Sequence, residues 1–188
     1  MRELALHVLD IVENALAAGA EHIDLAIIQD IGSDRLTIKV QDDGCGMDAA
    51  TVQKARDPFY TTRTTRHVGL GIPLFAAAAE RCAGELTIES APGQGTTLTA
   101  TFQHSHIDRA PLGDMSCTLM SFLMRDQAFD LHYLHQIKRP CVEHTFEFDT
   151  TEIKRELGDI PLTYPDVRDW LTEFIRQGEQ NITCQTLS

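Results

Sequence analysis

HIDLAIIQDIGSDRLTIKVQDDGCGM, residues 22 to 47 of this 188-residue chain, reads as two strands and the sharp turn that follows them. Residues 22 to 30 and 35 to 42 alternate or run apolar with β-branched enrichment, and Ile31-Gly32-Ser33-Asp34 between them has the composition of a tight hairpin turn. The second strand ends on Asp42 and Asp43, after which Gly44 and Gly46 let the backbone turn sharply and approach a ligand closely.

On the N-terminal side, Leu4, Leu6, Val8, Leu9, Ile11, Val12, Ala15 and Leu16 fall close to helical spacing, and Ala18-Gly19-Ala20 supplies a stop. On the C-terminal side, a short helix is expected over 48 to 56, then a polar, Gly-ended loop, DPFYTTRTTRHVGLG, over 57 to 71. An Ala-rich helix follows over 71 to 82, with Pro73 in its first turn, and strands at 85 to 90 and 96 to 103 are bridged by Ala-Pro-Gly-Gln-Gly. The pattern is α+β, a two-layer sandwich with helices covering one face of a mostly antiparallel, mixed sheet. HSHIDRAPLGD, residues 104 to 114, has no apolar period, so the chain divides into a domain over 1–104, a linker over 105–114 and a small αββα module over 115–188. In that module we expect a helix near 115 to 125, a hairpin of 129 to 137 and 142 to 148 turning at Lys138-Arg139-Pro140, and a last helix near 165 to 177.

Composition narrows the function. With 16 basic against 28 acidic side chains the net charge is −12, which repels nucleic-acid phosphates and anionic membrane surfaces. The excess is even, with 8 basic and 14 acidic residues on each side of residue 104, so neither half is a charged tail. No apolar run approaches the roughly 18 to 20 residues of a membrane helix, and the N-terminus carries acids where a signal peptide would be apolar. A soluble, cytoplasmic protein with no nucleic-acid or membrane partner is expected. The five cysteines lack paired zinc spacing and read as reduced thiols.

Four strings carry chemistry. Asp10 and Asn14 stand i and i+4 on the first helix, so an acid and an amide share one face. An Asn carbonyl is a sensible ligand for Mg2+, which takes few protein oxygens and fills its octahedron with phosphate and water. A carboxylate buried in the Asp42-Asp43-Gly44-Cys45-Gly46 turn could accept a hydrogen bond from an exocyclic amine such as that of adenine. Phe59-Tyr60-Thr61-Thr62-Arg63, then Arg66 and His67, lead to Gly69-Leu70-Gly71 at a helix start, where free N–H groups and arginines suit an anion. Gly93-Gln94-Gly95-Thr96-Thr97 enters a strand and fits either an ordinary turn or a backbone wall under a base.

In this order and spacing the four strings resemble the GHKL family of ATP-binding domains: gyrase, the cytosolic heat-shock chaperone, histidine kinases and the mismatch-repair protein MutL. The resemblance covers residues 1 to about 103 and implies the Bergerat-type ATP-binding fold with ATP and Mg2+ as cofactors. Position by position it implies that Asn14 binds Mg2+ and that Asp43 binds the adenine amine in a pocket shaped by Gly44 and Gly46. Gly69, Leu70 and Gly71 match the end of the lid, with the glycine amides facing the phosphates, and Thr96 matches a threonine near adenine. Phe59, Thr61, Thr62 and Arg63 look like the P-F-[FY]-T-T-K segment of histidine kinases, with Arg where Lys is usual, whereas Ile11 to Asn14 with Ala18-Gly19-Ala20 look most like MutL. Where hydrolysing members place a Glu as general base this chain has Asp10, one methylene shorter.

His135-Gln136-Ile137-Lys138-Arg139-Pro140 looks like the phosphoacceptor string of histidine kinases. It follows the ATP domain instead of preceding it, and its neighbours alternate like strands, so we read it as a hairpin turn. His104 and His106 lack a third ligand, and no transition metal is expected. Two functions result. One is a Mg-ATP-dependent enzyme, a slow ATPase or phosphotransferase in signalling that acts on a separate partner protein, with Asp10 as the catalytic residue that activates water or a partner's hydroxyl or imidazole. The other is a non-catalytic ATP sensor whose lid ordering controls partner binding through the C-terminal module.

Overall fold

A computed structural model describes residues 3–55, 71–125 and 129–184. In chain order the elements are α1 (Leu4–Ala17), β1 (His22–Asp30), β2 (Arg35–Asp42), α2 (Ala49–Ala55), α3 (Gly71–Arg81), β3 (Leu86–Ser90), β4 (Thr96–Gln103), α4 (Met115–Leu123), β5 (Asp130–Arg139), β6 (Val142–Asp149), α5 (Thr150–Leu157) and α6 (Pro165–Cys184). The strands form one sheet in the order β3-β4-β2-β1-β5-β6, antiparallel throughout except for the parallel pair β1 and β5. This is the α+β sandwich on a mixed sheet that the sequence implies.

Period-two alternation assigns the faces. Ile23, Leu25 and Ile27 of β1, Leu36, Ile38 and Val40 of β2, and Leu98, Ala100 and Phe102 of β4 are all buried on one side. Against them pack Leu4, Val8, Ile11 and Val12 of α1, Phe75 and Ala79 of α3, Leu119 and Phe122 of α4, and Leu171 and Ile175 of α6, in one continuous core. The other side carries Thr37, Lys39, Thr97 and Thr99 and is largely polar.

The C-terminal elements depart from the expected separate module. Their strands form no sheet of their own: β5 pairs with β1 from His22↔Asp130 to Asp30↔Lys138, and β6 pairs with β5. The reason is the outer edge of β1, a long apolar strand that β2 alone would leave unpaired. The helix near 115, the hairpin and the last helix are present, and α5 is an additional helix, capped by Asp149, whose Oδ1 accepts the Thr151 amide at 2.7 Å. The stretch between β4 and α4 lies across the start of α1, whose Leu4 and Ala5 amides donate to the carbonyls of Pro111 and Leu112 at 3.0 and 2.8 Å. It thereby satisfies donors that a helix start leaves open. No helix among the described residues is long and apolar enough to cross a membrane.

Candidate functional site

The candidate site is built at the end of the sheet where β2 stops. Leu36, Ile38 and Val40 face the helices, and Asp42 is the next residue of that parity, half-buried. Its Oδ1 accepts the Gly44 amide at 2.9 Å, and the Thr96 amide also donates to it. Burial raises its carboxyl above the ordinary range against the pull of these two amides, and the neighbouring charge of Asp43 raises it further.

Asp43, expected at the adenine amine, points elsewhere. It is exposed, and its Oδ1 accepts the amides of Glu21 at 2.8 Å and His22 at 2.9 Å. The His22 bond foremost holds its carboxyl below the ordinary range. Asp43 pins the turn to the start of β1, and Asp42 is the acid turned toward α1. The D-x-G-x-G spacing, counted back from Gly46 and Gly44, arrives at Asp42, and strand parity gives the same residue.

Glycines set how closely the walls approach. A Cβ on Gly44 would stand 3.0 Å from both Ala18 Cβ and Asp42 Oδ1, and the Cys45 amide donates to the Ala18 carbonyl at 3.0 Å, which clips the turn to the end of α1. Gly46 and Gly95 both have positive φ, and a Cβ would lie 2.0 Å from the Ala91 carbonyl oxygen and 1.9 Å from the Asp42 carbonyl oxygen respectively. Ser90 closes this junction. Its hydroxyl accepts the Met47 amide at 2.8 Å, donates to the Gly95 carbonyl at 2.8 Å and lies 2.9 Å from Thr96 Oγ1. Sequence reading missed Ser90, because only the β3–β4 register, Ser90↔Thr96, brings it here.

Asp10 and Asn14 are half-buried one turn apart on α1. The first residue of α3 abuts Asp10, since a Cβ on Gly71 would stand 3.1 Å from Asp10 Cβ and 3.4 Å from Asp10 Oδ2. The structure thus brings Asp10 and Gly71 together, and separately Gly44 and Thr96 to Asp42, with Gly46 against Ala91 and Gly95. Phe59, Thr61, Thr62, Arg63, Gly69 and Leu70 lie outside the described residues. No group of three or more His, Cys, Asp or Glu among the described residues is placed to hold a metal. Asn14 is of a different kind, one amide oxygen of the sort Mg2+ accepts beside phosphate and water.

The phosphoacceptor-like string, expected as the hairpin turn, lies mostly on strand β5: Lys138 and Arg139 still pair with Glu143 and Val142, so the turn falls at Pro140 and Cys141. His135 is 1% exposed on the core face and lies 2.9 Å from Gln29 Nε2 and 3.0 Å from Glu179 Oε2, inaccessible to a phosphoryl donor. His104 Nε2 meets Gln29 Oε1 at 3.0 Å, and His106 Nδ1 accepts the Asp108 amide.

The sheet is mixed and covered by helices on one face, with an acid and an amide one turn apart on the first helix and an acid-glycine turn at the end of β2. The sequence profile of the histidine kinase-, DNA gyrase B- and HSP90-like ATPases matches residues 2–106, and the chain belongs to that family. It carries an ATP-binding, kinase-like domain. Sensor protein kinase FleS of Pseudomonas aeruginosa is 40% identical over 92 residues, covering 49% of this chain and 23% of that protein. Sensor histidine kinase WalK of Bacillus subtilis is 32% identical over 102 residues (50% and 17%), and sporulation kinase E of the same organism 30% over 94 residues (50% and 13%). The chain thus spans under a quarter of the length of these relatives. In fold it is similar to the N-terminal domain of a DNA repair protein, with a TM-score of 0.55 at 14% identity, covering 77% of this chain and 52% of that one.

Proposed function

We propose that this protein binds Mg-ATP between α1, the turn from Asp42 to Met47 and the start of α3, and works as a slow ATPase or phosphotransferase in signalling on a separate partner protein. The observation that carries this reading is Asp42, a half-buried carboxylate held by two backbone amides beside α1. In that setting an ionised acid gains from an amine donor. Asp42 therefore takes the adenine role that the resemblance gives to Asp43, with Gly44, Gly46 and Thr96 shaping the pocket, while Asp43 holds the turn in register. Asn14 would offer its carbonyl to Mg2+, and the resemblance assigns the phosphates to the segment from Gly69 to Gly71. Bound Mg-ATP supplies the transferable phosphoryl group. Asp10 orients water or an acceptor hydroxyl or imidazole. Its shorter reach makes turnover slow, because an error of about 1 Å in a positioned catalyst costs on the order of a hundredfold. ATP use and free thiols at Cys45, Cys82, Cys117 and Cys141 fit a cytoplasmic setting.

The sensor reading is favoured by one feature, the unbroken sheet from β2 through β1 to β5 and β6. A change at the Asp42 turn has a direct hydrogen-bonded route to the C-terminal strands. Isothermal titration of Mg-ATP into the wild type and Asp42→Asn, with ADP release followed in parallel, tests both readings. Binding lost in Asp42→Asn, with slow release in the wild type, supports the enzyme; the same binding with no release and no transfer to a partner supports the sensor. A folded wild type that binds no Mg-ATP overturns both.

A further inference from the structure

The sheet ends on β6, whose eight residues pair with β5 in unbroken register from Arg139↔Val142 to His132↔Asp149. The opposite edge, β3, has five residues. An edge of β6's length, free of bulges and proline, is a template for another strand unless something covers it. Among the described residues no loop, turn or cap makes a backbone hydrogen bond to residues 142–149. The edge has two unlike sides. Toward the helices stand Val142, 48% exposed, and Phe146, which meets Phe174 of α6 at a ring distance of 5.6 Å. Phe174 in turn is stacked at 5.3 Å by Trp170, itself 51% exposed. On the open face Glu143 and Glu147 are exposed, four residues apart on one side of the strand, each with its Oε1 held from β5, by Gln136 Nε2 at 2.6 Å and His132 Nε2 at 2.8 Å, which leaves the second oxygen of each for an incoming cation.

We propose that β6 is a docking edge for an extended segment of a partner protein in which apolar and basic residues alternate. Its apolar side chains cover Val142, Phe146 and Trp170, its Lys or Arg side chains oppose Glu143 and Glu147, and its backbone completes the ladder. A second copy of this chain fits poorly, because β6 itself carries no Lys or Arg to oppose Glu143 and Glu147 and pairing brings together two chains of net charge −12. The inference does not depend on ATP binding.

Trp170 is the single tryptophan of the chain and reports on the edge through its stack on Phe174, which meets Phe146. The full-length protein is titrated with capped octapeptides: alternating Lys-Val, alternating Glu-Val, and a block peptide of four Lys then four Val. We expect a saturable change in Trp170 emission with alternating Lys-Val, at least tenfold weaker binding of the other two, and hydrogen-exchange protection gained over 142–149. E143K/E147K should reverse the preference toward Glu-Val. Equal binding of the alternating and block peptides, binding without protection of 142–149, or no binding overturns the proposal. A peptide-independent dimer that protects those residues also overturns it and assigns the edge to a second copy. The exchange measurement on the wild type decides the matter even if the double variant fails to fold.

Discussion

Asp42 and Asp43, neighbours in the chain, send their carboxylates to different partners: Asp42 Oδ1 takes the Gly44 amide, while Asp43 Oδ1 takes the amides of Glu21 and His22. Their proton affinities diverge in consequence, Asp42 raised by burial and Asp43 lowered chiefly by the His22 amide. For Asp43 a lowered folded pKa means stabilisation that is present above the ordinary value of 3.8 and lost as pH falls through the folded one. For Asp42 the sign is opposite, so its ionisation destabilises the apoprotein at neutral pH. We expect Asp42→Asn to raise the urea midpoint at pH 7 while abolishing Mg-ATP binding. Asp43→Asn should lower the midpoint at pH 7, retain preference for ATP over GTP, and lose less stability than wild type below pH 4. Equal effects of the two substitutions on ATP binding would remove the distinction.

The junction of the two glycine turns is tight at one position and open at another. Gly95→Ala brings a methyl group to 1.9 Å from the Asp42 carbonyl oxygen, whereas a methyl group on Gly93 would meet nothing within 4 Å despite the positive φ there. Gly95→Ala should cost on the order of 3 kcal/mol or more by chemical denaturation. Gly93→Ala should cost only the left-handed backbone penalty, about 1 kcal/mol. Similar costs would show that the turn, not the contact with Asp42, sets the strain.

Gly178 lets α6 settle onto β6, since a Cβ there would lie 2.2 Å from the Phe146 ring. Gly178→Ala is expected to destabilise by roughly 2–3 kcal/mol. Adding Phe146→Ala should cost less in that background than in the wild type, because the clash is gone. A double-mutant cycle measures this coupling, and strict additivity would contradict the contact.

Glu179 gathers two buried groups: it accepts from the Tyr133 hydroxyl at 2.7 Å, and its two oxygens lie 3.1 and 3.0 Å from His135 Nδ1. The Tyr133 hydroxyl is held well above its ordinary pKa by burial first, then by the Glu179 charge. Glu179→Ala leaves both partners without this acceptor and should cost on the order of 3 kcal/mol. Glu179→Gln keeps an acceptor and should cost less. The check is the pair of thermal or urea midpoints, and equal losses would show that the carboxylate's contacts are not what holds α6 here.

Most elements were legible because local periodicity encodes them. Leu4 to Leu16 repeat at helical spacing, and 22 to 42 alternate around Gly32-Ser33, so α1, β1 and β2 match their expected bounds closely. The α5 helix escaped notice because Thr150-Thr151-Glu152-Ile153-Lys154-Arg155-Glu156-Leu157 buries only Thr150 and so lacks a broad apolar stripe. Within the candidate site, the one-turn spacing of Asp10 and Asn14 on α1 and the turn at Gly44 and Gly46 were legible from local pattern. Ser90 was not, since its place depends on a strand register that local pattern leaves open.

By itself the sequence determined the helices and strands, the face each strand buries, the acidic character of the chain and its membership in an ATP-binding family, all properties carried by residues near one another. Tertiary structure decided what depends on distant partners. Strand parity already turns Asp42 inward, but where Asp43 is held is settled by Glu21 and His22, which present their amides to it from the start of β1. Whether residues 130 to 149 form their own module or extend the first sheet is settled by the open edge of β1, since backbone hydrogen bonding is indifferent to sequence separation and pairs whichever edges the packed core brings together.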